Sequence, residues 1–122
     1  MNEIASTGIA YKILTAEQMD ELLGKGTFAG APIDVTDGYI HLSDAGQVNG
    51  TLDKHFAGQD NLFLAAVNLD ALEGAIRWEV ARGGALFPHL YGELPLSAII
   101  GYGPVTRSET GELVLPGHAG QA

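Results

Sequence analysis

The 122-residue chain contains no cysteine. Disulfides, thiolate zinc sites, thiol nucleophiles and cysteine-held clusters are therefore excluded. Basic residues are scarce, 6 against 15 acidic ones, which leaves a formal net charge of -9. A field of that sign repels phosphate backbones, so general nucleic-acid binding is not expected. No hydrophobic run approaches the ~20 residues that a membrane span needs; the longest covers only Leu62 to Val67. Met1 to Ala5 lacks the basic and apolar stretches of a signal peptide, so no membrane association and a cytoplasmic location are expected. The phosphate-binding patterns Gly-x-x-x-x-Gly-Lys-Ser/Thr and Gly-x-Gly-x-x-Gly are missing, as are Gly-x-Ser-x-Gly and His-Glu-x-x-His. Those absences remove the usual sequence grounds for a mononucleotide loop, a dinucleotide fold, a serine hydrolase or a zinc protease.

Glycine, in contrast, is abundant, at 17 residues, roughly twice the usual ~7% share. The length suits one domain, and no repeat or change of charge sign divides the chain. The expected organisation is a flexible start over 1–8, a single domain over 9–107 and a partly frayed extension over 108–122. Ile9 to Leu14 reads as a strand, with Tyr11 and Ile13 on one face and Lys12 and Leu14 on the other. Thr15 and Gln18 form a capping box for a helix whose buried stripe is Met19, Leu22 and Leu23. A loop carrying Pro32 and the Asp37-Gly38 turn follows. Tyr39 to Leu42 reads as a short strand, and Ser43 as the cap of a second helix with Val48, Leu52 and Phe56 on its apolar face. Leu62 to Val67, apolar on both faces, reads as a central strand. Ile76 to Val80 alternates, predicting Ile76, Trp78 and Val80 inward and Arg77 and Glu79 outward. Leu86 to Tyr91, Ile99 to Tyr102 and Val105 to Arg107 read as further strands, with Glu112 to Leu115 as a last edge strand. The late links are too short for helical crossovers, so the class is α+β: mostly antiparallel split sheets with two main flanking helices.

The same alternation projects Lys12, Tyr39, His41, Glu79, His89 and Tyr91 from four strands toward one cleft. The polar members carry recognisable chemistry. A histidine is suited to proton transfer or stacking. A carboxylate stabilises developing positive charge in a dry cleft, and a lysine holds anions by charge-assisted bonds. Each also has a bland alternative. His41 would bond a nearby backbone carbonyl, His89 would pack beside Pro88, Lys12 would be solvated, Glu79 would pair with Arg77 or Arg82, and the tyrosines would edge the core. His55 reads as structural, and His118 receives no role. Only His41, His89 and Glu79 offer themselves as metal ligands, without the spacing of a known site, so no metal is expected.

Three stretches resemble a known family: Ile9-Ala10-Tyr11-Lys12-Ile13-Leu14; Asp37-Gly38-Tyr39-Ile40-His41-Leu42-Ser43; and Arg77-Trp78-Glu79 with Phe87-Pro88-His89-Leu90-Tyr91-Gly92. Together they are similar to the bacterial family called domain of unknown function 952, over roughly residues 9–103. More distantly the chain resembles the ADP-ribosyltransferase-like superfamily, which implies a split pair of antiparallel sheets and NAD as a possible cofactor. In that resemblance Lys12 stands where a first-strand histidine meets the adenosine ribose, and Tyr39 and His41 match the nicotinamide-stacking motif. Glu79 or Glu93 would be the glutamate that steadies an oxocarbenium-like transition state. The implied roles are His41, Glu79 and His89 as catalytic residues and Lys12, Tyr39 and Tyr91 as cofactor-binding ones. The alternative is a non-catalytic module for a small ligand or a partner.

Overall fold

The computed structural model describes residues 8–116. For residues 1–7 and 117–122, the expected flexible start and frayed end lie outside the described residues, as does His118. The first element, β1 (Ile9–Thr15), runs directly into α1 (Ala16–Lys25). The transition is set by the predicted capping box: the Thr15 hydroxyl accepts from the Gln18 N–H at 3.1 Å, and the Gln18 side chain accepts from the Thr15 N–H at 2.9 Å. Two of the four orphan N–H groups at the helix start are thereby satisfied. Met19 and Leu22 are buried, whereas Leu23 is 39% exposed. The predicted stripe is thus narrower than expected, because Leu23 lies at the rim of the buried face.

The chain continues through β2 (Thr27–Phe28), α2 (Pro32–Asp37), β3 (Ile40–His41), α3 (Val48–His55) and β4 (Leu62–Asn68). Then come β5 (Ile76–Val80), β6 (Leu86–Leu90), β7 (Leu94–Pro95) and β8 (Ile99–Pro104), with short 3-10 turns between several of them. The strands form three separate antiparallel sheets, ordered β1-β4-β8, β2-β7 and β3-β6-β5. The architecture is therefore α+β with few helices, as the short late links require. Strand β4 is central, and Leu64, Ala65, Ala66 and Val67 are wholly buried. Two apolar clusters lie on opposite faces of this sheet. One includes Ala10, Leu14 and Leu22, and the other Tyr11, Ile13, Val48 and Leu64. That separation follows the alternation read from β1. The segment after β8 folds back: Arg107 bridges Leu113, and Leu113 and Leu115 pack on the second cluster. The last edge strand is thus a single bridge. Among the described residues, no helix is long and apolar enough to cross a membrane.

Three expectations need correction. The stretch read as a loop around Pro32 contains the helix α2, which has Pro at its start and the left-handed Gly38 (φ 91°) at its end. Proline costs nothing where an N–H is orphaned anyway, and glycine accepts the left-handed cap without strain. Ser43 does not cap α3. Its backbone pairs with that of Tyr11, and a turn from Asp44 to Gln47 precedes the helix. Trp78 and Val80 do not face inward; they are 42% and 69% exposed. Strand β5 is at a sheet edge, and its apolar face extends past the core beyond Ile76. Alternation in sequence assigns faces, but not whether anything covers them.

Candidate functional site

Two sheets meet where β1 pairs with the segment after β3: Tyr11 and Ser43 exchange backbone hydrogen bonds at 2.7 and 3.0 Å. A cleft of about 530 Å³ opens there, lined among others by Tyr11, Lys12, Asp34, His41, Ser43 and His89. Its size falls in the ordinary range of small-molecule sites, ~300–1,000 Å³. Apolar walls come from Ile13, Pro32, Ile33, Leu42, Phe56 and Phe87.

The floor is an ionic network. Lys12 is 5% exposed, so it is not a solvated lysine. Its ammonium donates to Asp34 Oδ2 at 3.0 Å and to the His41 carbonyl at 3.1 Å. Across the sheet Lys12 faces the small Ala65. Asp34, 2% exposed, also accepts at Oδ2 from the Ala31 N–H at 2.8 Å, which holds the start of α2. At Oδ1 it accepts from the His41 backbone N–H at 3.1 Å and meets His41 Nδ1 at 2.6 Å. Burial by itself pushes the Asp34 carboxyl up. The His41 bond, the Lys12 charge and the Ala31 bond outweigh it and bring the pKa down to about 2. An ionised carboxylate only accepts, so the proton in the 2.6 Å contact sits on Nδ1 of His41. Burial pushes the Lys12 ammonium down, and Asp34 counters that. The other ring nitrogen of His41, Nε2, faces Asp37 Oδ2 at 3.0 Å.

Gly30 makes this packing possible. It sits at φ 124°, and a Cβ there would lie 2.9 Å from the Cβ of Asp34. Any side chain would be both strained and in collision with the Asp34 side chain at its Cβ.

Beside the floor stands an aromatic cluster. In the register of β3 and β6, His41 pairs with His89, and β6 sets His89 against Arg77 of β5. His89 is 3% exposed. The Tyr39 ring stacks on it at 4.1 Å and 20° and lies 5.2 Å from Tyr91. His89 Nδ1 meets Glu79 Oε1 at 2.7 Å, and the Tyr91 hydroxyl donates to the same oxygen at 2.7 Å. The bonds from His89 and Tyr91 hold the Glu79 carboxyl below its ordinary value. Glu79 in turn raises the Tyr91 hydroxyl by accepting its hydrogen bond. Tyr39 is raised by burial and then by the charges of Asp37 and Glu79. The Arg77 guanidinium lies 5.2 Å from the Tyr91 ring centre.

The six projected residues thus form one contiguous cluster, though not one lining. Lys12, His41 and His89 line the cleft, whereas Tyr39, Glu79 and Tyr91 form the layer next to His89. The tyrosines meet protein groups, and Glu93 is exposed in the turn before β7. Asp34, Asp37, Ser43 and Thr51, which the strand alternation does not single out, also line the cleft. Asp34 was open to detection, because Pro32, Asp34 and Gly38 together mark a short capped helix. Both ring nitrogens of His41 and Nδ1 of His89 face carboxylates, and no metal-holding group of three side chains occurs among the described residues.

Comparison with solved structures finds protein CC0527 from Caulobacter crescentus. Its crystal structure matches with a TM-score of 0.78 and 39% identity over 87% of this chain and 93% of that one. Its solution structure matches with a TM-score of 0.73 and 37% identity over 93% and 95%. Comparison with curated proteins finds no match. A family model described as "Protein of unknown function (DUF952)" matches residues 13–102, most of the chain and all of the site just described except Tyr11 and Lys12, and the chain belongs to that family.

Proposed function

We propose that the chain binds a small organic ligand in the cleft beside Lys12, His41 and His89, on a fold of the ADP-ribosyltransferase-like kind, with NAD or a related ribonucleoside as the ligand class. His89 is the group that would act on it, with Glu79 acting through His89 and His41 at the cleft wall. The observation that carries this reading is convergence. Polar side chains from β1, α2, β3 and β6 meet at one cleft of about 530 Å³ with apolar and aromatic walls. Buried ionic side chains are costly unless paired, and here they rigidify the floor of a concave site rather than its exterior.

The same geometry changes which part of a ribonucleotide would enter. The Lys12 charge is spent on Asp34, so it does not serve as a pyrophosphate clamp. Asp37 adds a further carboxylate to the lining. An uncharged or cationic heterocycle with its ribose suits such walls better than a phosphate does. The test is ligand-observed NMR and thermal shift with NAD, nicotinamide riboside and ADP-ribose, alongside an assay of nicotinamide release. Saturable binding of NAD or nicotinamide riboside, weakened in His41→Ala, is expected. Absence of binding by all three at millimolar concentration overturns the reading.

A non-catalytic binding module is the second reading. It is favoured by Glu79, which is held by His89 and Tyr91 in the layer behind the cleft. Measurable nicotinamide release rejects it.

A further inference from the structure

We infer that Glu79 and His89 form a proton-transfer pair, in which Glu79 holds the proton on Nδ1 and Nε2 of His89 is the acceptor presented to a hydroxyl or amide N–H of the ligand. The inference rests on the reading of the cleft as a ligand site and adds the direction of proton flow within it. Three observations carry it. His89 lines the cleft, although only 3% of it is exposed. Its Nδ1 is bonded to Glu79 at 2.7 Å. The Glu79 oxygen already accepts from the Tyr91 hydroxyl, so it is an acceptor here and Nδ1 must be the donor. In the neutral ring that assignment leaves Nε2 as a lone pair.

The ring cannot easily turn away. Tyr39 stacks on one face at 4.1 Å, and the edge of His41 approaches at 5.6 Å. A base held in one tautomer and one orientation by a carboxylate is the arrangement that general-base catalysis needs. In the step, the Nε2 lone pair takes the proton from a ligand O–H or N–H. The ring becomes imidazolium, Glu79 offsets the new charge, and the electron pair stays on the ligand heteroatom. The reverse transfer restores the ring. Glu79 is then a positioning residue, acting through His89. His41 differs, because both of its nitrogens face carboxylates and neither is open.

Histidine-ring 15N–1H correlation spectra at mildly alkaline pH test the pair without any ligand. The wild-type protein should show His89 protonated at Nδ1, with a low-field Nδ1 proton and an unprotonated Nε2. Glu79→Gln should move that proton upfield and populate the other tautomer, and Glu79→Asp should restore part of the wild-type pattern. A wild-type ring protonated at Nε2, or a Glu79→Gln spectrum identical to wild type, overturns the pair. Nicotinamide riboside serves as the probe in the second arm. Where it binds, the Nε2 resonance should shift, and binding without that shift overturns the ligand-facing role. Where none of nicotinamide riboside, NAD and ADP-ribose binds, the ligand reading falls, while the tautomer spectra still decide whether Glu79 sets the ring.

Discussion

Replacing Asp34 by Asn is the sharpest probe of the network beneath the cleft. The carboxylate accepts four hydrogen bonds, from Lys12 and Ala31 at Oδ2 and from the backbone and ring of His41 at Oδ1. An amide has a single acceptor oxygen, so its NH2 must face one of these donor pairs. Either way two buried donors lose their acceptor, and the Lys12 ammonium is left without its counter-charge. Breaking a buried pair by removing one partner costs about 3–5 kcal/mol. For a domain of this size that is a fall in Tm of roughly 10–20 °C.

The acid limb gives a second, independent magnitude. The pKa of Asp34 is lowered to about 2 in the folded chain, against ~3.9 for an unperturbed Asp. A depressed carboxyl contributes stability that is complete above the unfolded value and lost as pH falls through the folded one. The wild-type protein should therefore lose about 2–2.5 kcal/mol from this group between roughly pH 5 and pH 1. The Asn variant should lack that portion of the slope. Urea unfolding followed by circular dichroism, at neutral pH and across the acid range, reads both effects. An Asn variant within about 1 kcal/mol of wild type at neutral pH, or one that keeps the wild-type acid limb, refutes the reasoning. The double change Lys12→Met with Asp34→Leu should recover part of the loss, since it removes both charges together.

Other perturbations report on the elements that deliver the site. Gly30→Ala forces a Cβ to 2.9 Å from Asp34 at a left-handed φ and should cost at least about 1–3 kcal/mol in urea unfolding; a neutral result would mean that α2 can shift without strain. Thr15→Ala removes one half of the capping box and should cost about 1 kcal/mol by the same measurement; no change would show that the turn into α1 is set by packing alone. At the cleft, His41→Ala should weaken NAD or nicotinamide riboside binding in thermal-shift titrations, and equal affinity with wild type would move the ligand site elsewhere. In Glu79→Gln the His89 tautomer should change, as read in the ring spectra.

The local signals that proved legible share one property: their physics is local. The capping box at Thr15 and Gln18 involves residues three apart, and both of its bonds form. The opposite faces of Tyr11 and Lys12 follow from the two-residue period of a strand. The burial of β4 follows from a run with no polar side to leave in water. Short links forced antiparallel pairing, and the pairing alone suffices to bring Lys12, His41 and His89 to one region.

Tertiary structure decided the rest. The same alternation that correctly turned Lys12 toward the cleft also turned Trp78 and Val80 toward a core that does not extend that far. A periodic pattern states which residues share a face, and the elements packed against that face decide its burial. Lys12 was readable as a solvated lysine because nothing nearby in sequence neutralises it. Its partner lies 22 residues away, on a six-residue helix too short to show a period. The sequence by itself determined an acidic, cysteine-free α+β chain and the set of polar side chains available for chemistry. Only the folded chain determined which of them are spent on one another, because burial and pairing depend on neighbours that the chain brings together from a distance.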